Sequence, residues 1–216
     1  MESKKLVIIR SDIISEFQEV RPITSSEYDK FKNSVSTLSL IKNYLNLFQG
    51  VILNFQDYIS ALNNHFQEFH ENENFHTETI MNSTLNLNRL LNNYLSSVRL
   101  FLDHMEYDLK KRHGNESEIV FDFKSLCSDI YDKNFSYRFI YHLRNYVQHC
   151  GMPIGHISFK SKVDDHDRNR SNKVLELKFN RDELLREHNW KKDLKSEIEI
   201  LPSKFDINPH IVDMNE

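Results

Sequence analysis

The apolar residues of this chain recur mostly at steps of three and four, the period of one face of an α-helix. From about Glu27 to Phe69 the series Leu38, Ile41, Leu45, Phe48, Ile52, Phe55, Ile59, Leu62 and Phe66 keeps that step without a gap. It predicts one long helix. Thr24 and Glu27 stand in capping-box spacing at its start, and Gly50 is the expected place for a kink or a division in two. The polar run 70–74 is the expected turn. A second long pattern, from about Phe75 to Arg112, places Leu87, Leu91, Tyr94, Val98 and Phe101 on one side. Lys110, Lys111, Arg112 and His113 fall in its last turn, where cations oppose the helix dipole, and Gly114 ends it. A short helix from Phe123 to Asp132 follows. Asn134 then caps a helix from Phe135 to Cys150, which Gly151 and Pro153 stop.

Beyond residue 155 the period changes. Ile157, Phe159 and Val163 alternate with polar residues, as do Leu175, Leu177 and Phe179. The two runs predict a β-hairpin across the polar loop 164–172. Residues 6–10 read as a short strand and 11–23 as an irregular entry. The strand is the expected third member of the sheet, because a lone hairpin is marginal in water. Residues 182–199 predict one helix with Leu184, Trp190, Leu194 and Ile198 inward. After Pro202 no pattern is visible. The expected fold is mainly α: an up-and-down helical bundle over 24–153, with a small β-hairpin and a C-terminal helix over 154–216 as an appendage.

Composition narrows the class. With 216 residues, 39% hydrophobic and 28% charged, the chain can bury one good core. Only 4 glycines and 4 prolines punctuate it, which favours long helices. No run approaches the roughly 18 apolar residues of a membrane span, so no membrane partner is expected. Cys127 and Cys150 form no metal-ligand pattern; they read as buried thiols in a reducing, cytoplasmic setting. No phosphate-binding glycine loop, nucleophile elbow or zinc signature is present, so neither a cofactor nor a metal is expected. The acidic and basic cluster in the 164–172 loop lacks the rigid spacing of a cation site.

A net charge of −4 excludes a generally basic nucleic-acid binder, but the charge is uneven. Residues 1–132 carry 13 basic and 19 acidic side chains, a net of −6. Residues 133–178 carry 9 and 4, a net of +5, and residues 179–216 carry 6 and 9, a net of −3. An anionic partner is therefore expected on the segment that contains the 135–150 helix.

At about 100° per residue, that helix is two-faced. Phe139, Ile140, Leu143, Tyr146, Val147 and Cys150 share one arc. Arg138, Tyr141, His142, Arg144, Asn145, Gln148 and His149 lie on the other. An arginine can hold a phosphate bidentately, and a histidine can move a proton near neutral pH. Arg144 lies about 140° from His149, so the two flank the face rather than stack. Two copies facing each other across a two-fold bring them together most readily. A bare Arg–His spacing is common by chance: Arg99 and His104 share it, with a leucine directly after the arginine.

The stretch Arg144-Asn145-Tyr146-Val147-Gln148-His149 resembles the R-x4-6-H motif of HEPN domains, with a polar residue directly after the arginine. Two long helices, a short one and then the motif helix also resemble that all-helical family, over about residues 24–153. The resemblance implies a metal-independent endoribonuclease that works as a homodimer, in bacterial antiphage defence or toxin–antitoxin growth control, with RNA as substrate and an antitoxin or defence-system protein as partner. It implies catalytic roles for Arg144, Asn145 and His149. Arg138, Tyr141, His142 and Gln148 become the expected substrate-binding groups. The alternatives are a non-catalytic dimerisation or interaction module and a nucleotide-binding sensor.

Overall fold

The computed structural model describes residues 4–10, 16–71, 76–163 and 171–214. The centre of the expected 70–74 turn and most of the 164–172 loop lie outside them. The fold is mainly helical with two small antiparallel sheets. The chain divides into two compact units, 1–46 and 47–216.

In the first unit, β1 (Lys5–Arg10) pairs antiparallel with β2 (Glu16–Pro22), with a register irregularity between Leu6 and Val7. Strand 6–10 therefore does not join the C-terminal sheet, and 16–22 is not irregular. Glu16, Gln18, Glu19 and Arg21 break up the apolar alternation that marks a strand in sequence. Helix α1 (Ser25–Glu71) begins at the expected capping box. The Thr24 N–H donates to the Glu27 carboxylate at 2.9 Å, and the Glu27 N–H donates to the Thr24 hydroxyl at 3.2 Å. Arg21 also donates to Glu27, and these bonds hold its carboxyl down at about 2. The helix is unbroken at Gly50, where a Cβ would meet nothing within 4 Å.

The second unit begins within α1. It continues through α2 (Thr77–His113), α3 (Glu118–Lys133) and α4 (Phe135–His149). Gly114 adopts φ 88°, a left-handed value that favours glycine, and donates to the Lys110 carbonyl. Asn134 ends α3 and caps α4, its side chain accepting from the Tyr137 N–H at 2.8 Å. After α4 come β3 (His156–Val163), β4 (Ser171–Asn180), α5 (Arg181–Glu187), α6 (Lys192–Glu199), β5 (Lys204–Asp206) and α7 (Asn208–Asp213). The hairpin β3–β4 forms as expected, but its third strand is β5. The helix expected over 182–199 is two, parted at 188–191, where the Trp190 indole donates to the Leu184 carbonyl at 2.7 Å.

The expected boundary near 153 is not a structural one. Leu87, Leu91 and Tyr94 of α2, Phe139 and Leu143 of α4, and Trp190, Leu194, Phe205, Ile207 and Ile211 of the C-terminal segment form one buried cluster. Asn88, itself buried, ties the chain after α4 to α2. Its amide donates to the Ile154 carbonyl and accepts from the Ile154 N–H, each at 3.0 Å. The C-terminal segment thus packs on α4 together with α2 in one core, rather than hanging from the bundle.

Candidate functional site on helix α4

Helix α4 buries its apolar arc, with Phe139, Ile140, Leu143 and Tyr146 each 3% exposed or less. The polar arc divides in two. On one side Arg138 is committed to the fold. Its guanidinium pairs with Glu197 of α6 and donates to the carbonyls of Tyr131 and Asp132. His142 is buried beside it, its Nε2 at 2.9 Å from the Tyr131 hydroxyl. These two expected substrate-binding groups are therefore turned into protein. Glu197 lies 59 residues along the chain from Arg138, so no local pattern announces it.

Burial pushes the His142 imidazole down to about 4, helped by the positive charges of Lys191, His188 and Arg99. In the unfolded chain a histidine titrates near 6.5. Between those values the unfolded state binds the extra proton, so stability falls as pH drops from about 6.5 toward about 4, by on the order of 2 kcal/mol. His188 and His210, also lowered chiefly by burial, act in the same direction. Urea midpoints measured from about pH 7 to about pH 4.5 should decline, and less steeply for His142→Gln. Equal slopes for the two proteins would remove His142 as a source.

The other side of the arc is open. Arg144 and Gln148 line a groove of about 510 Å³ together with Asn54 of α1 and Asn93, Ser97 and Arg99 of α2. The Arg144 Nε is buried and has no hydrogen-bond partner among the described residues. Arg99 is placed by Asp103, whose carboxylate accepts from its Nε at 2.9 Å. Its guanidinium also lies over the Tyr141 ring at 4.7 Å. Tyr141 in turn stacks on Tyr137, with centroids 6.1 Å apart. Two guanidinium groups, from Arg99 and Arg144, thus line one groove with the Asp103 carboxylate and the amides of Asn93 and Gln148, while Asn54 and Ser97 already donate to the Gly50 and Tyr94 carbonyls.

Asn145 is half-buried on α4 between the two sides, and His149 is exposed at the last turn. The charge of His149 is felt by His188, the residue that follows α5. Within one chain, therefore, His149 is not part of the Arg144 groove lining. Cys150 is half-buried, its Sγ donating to the Glu187 carbonyl at 3.1 Å. Among the described residues no group of three or more His, Cys, Asp or Glu side chains is placed to hold a metal ion, and no helix is long and apolar enough to cross a membrane. No family model, curated protein or solved structure matches the chain.

The groove residues on α1 and α2 are absent from the motif reading. Their signal is the polar series Asn93, Ser96, Ser97, Asp103 at helical spacing, on a helix that carries many other polar residues. Arg99, set aside in sequence as half of a chance Arg–His pair, belongs to the groove, whereas its nominal partner His104 is exposed.

Proposed function

We propose that this protein is a metal-independent endoribonuclease of HEPN type, acting in bacterial antiphage defence or toxin–antitoxin growth control. One observation carries the reading: Arg144, whose Nε has no hydrogen-bond partner among the described residues, lines one groove with a second arginine, Arg99. An arginine that lines a groove can hold a phosphate through two parallel N–H bonds. Arg144 then holds the scissile phosphate, and Gln148 and Asn93 add neutral donors.

The chemistry follows from the groups. The ribose 2′-oxygen loses its proton to solvent or a nearby base and attacks the adjacent phosphorus. The bond from phosphorus to the 5′-oxygen breaks, leaving a 2′,3′-cyclic phosphate and a 5′-hydroxyl. Arg144 neutralises the charge that builds on the phosphoryl oxygens, and a protonated His149 gives its proton to the leaving 5′-oxygen. Because His149 lies outside the groove of its own chain, the site is completed by His149 of a second copy across a two-fold. Asn145, half-buried next to Arg144 on α4, helps position the Arg144 side chain.

Incubating the purified protein with single-stranded RNA in EDTA tests the reading. Cleavage should persist and leave cyclic-phosphate ends. The exposed position of His149 favours one other reading, a groove that binds nucleotides or RNA without cutting them. Under that reading RNA raises the melting temperature and no product appears.

A further inference from the structure

The N-terminal part of α1 carries an apolar stripe that the described residues of its own unit leave uncovered. Phe31, Val35, Leu38, Ile41 and Leu45 are each 47–66% exposed. On a helical wheel they fall within an arc of about 120°. Their spacing reads the same in both directions about Leu38. Val35 and Ile41 each stand 3 residues from it, and Phe31 and Leu45 each 7. A surface that reads the same in both directions matches itself after a half-turn, which is the requirement of an isologous interface.

We propose that residues 31–45 of α1 form an antiparallel two-fold interface with the same segment of a second copy of this chain. Leu38 lies on the axis against its own counterpart, Val35 packs on Ile41, and Phe31 packs on Leu45. Charge selects this orientation. Lys42 falls inside the apolar arc, on the side opposite Ser34. In an antiparallel pair it faces Ser34 of the other copy, whereas a parallel, in-register pair would set Lys42 against Lys42. Area also fits. The five side chains expose roughly 500 Å² of largely apolar surface per copy, and the stems of Lys42 and its polar neighbours extend this toward the roughly 800 Å² per partner of a standard interface. The contact uses a different surface from α4 and stands whether or not the protein cuts RNA.

The test uses the full chain with Cys127 and Cys150 replaced by serine. Under mild oxidation, a variant carrying both Phe31→Cys and Leu45→Cys forms covalent dimers, whereas Phe31→Cys alone does not. In sedimentation equilibrium, Leu38→Glu halves the particle mass while circular dichroism shows its helix content retained. Equal masses for wild type and Leu38→Glu overturn the proposal. Dimers from Phe31→Cys alone overturn it too, since they report parallel helices. So does a wild-type chain that sediments as a monomer at about 100 μM, where a standard-sized interface is populated.

Discussion

Replacing Arg144 with alanine should lower RNA cleavage by about 10²–10³-fold, the usual loss when one donor to a developing oxyanion is removed. The fold should not suffer with it. The Arg144 Nε has no hydrogen-bond partner to lose among the described residues, so the melting temperature stays level or rises slightly. That combination separates a ligand-binding arginine from a structural one. Arg138 provides the contrast inside the same helix. Its guanidinium is engaged by Glu197 and two carbonyls, so Arg138→Ala should cost stability. Arg144→Lys should recover little of the lost activity, since an ammonium keeps the charge but not the planar fork. A large fall in melting temperature for Arg144→Ala would reassign Arg144 to the fold.

Truncating Phe139 should cost about 3–5 kcal/mol, the range for removing a fully buried aromatic ring. Phe139 is 0% exposed and packs α4 on the C-terminal segment. Its ring centroid lies 5.6 Å from Phe135, 5.9 Å from Trp190 and 5.8 Å from Phe205. In a domain of this size that loss corresponds to roughly 10 °C in melting temperature. Trp190, the only tryptophan, stacks on Phe139 and reports the transition by fluorescence. Phe139→Leu should cost much less, because part of the volume remains. A Phe139→Ala loss below about 1 kcal/mol would mean that the C-terminal segment detaches from α4 without consequence.

Local rules explain what could be read from the chain beforehand. The capping box at Thr24 and Glu27, the Asn134 cap and the Gly114 stop depend on neighbours three or four residues away. So do the periodic faces of α2 and α4. Three features stayed hidden, through distant partners, short elements or a side-chain bond that no pattern marks. Arg138 and His142 sit on the same polar arc as Arg144, yet Glu197 of α6 and Tyr131 of α3 enclose them and leave Arg144 open. The short elements β5 and α7 are below the length at which periodicity shows, although Phe205, Ile207 and Ile211 are core residues. The break at 188–191 has no glycine or proline; it is held by the Trp190 indole reaching back to Leu184. The long step-of-three-and-four run in α1 marked an apolar stripe correctly, but periodicity says nothing about what covers it. Part packs on α2, and the part from Phe31 to Leu45 stays open.

The central claim is that Arg144 of one copy and His149 of another act on one phosphate. Mixing the two disabled chains measures it directly. Arg144→Ala and His149→Ala, co-expressed with different tags, should each be inactive alone. Together they should recover about one quarter of the wild-type rate, because random pairing makes half of the dimers mixed and each mixed dimer holds one intact site. Mixed dimers that form but cleave no faster than either parent would contradict the account.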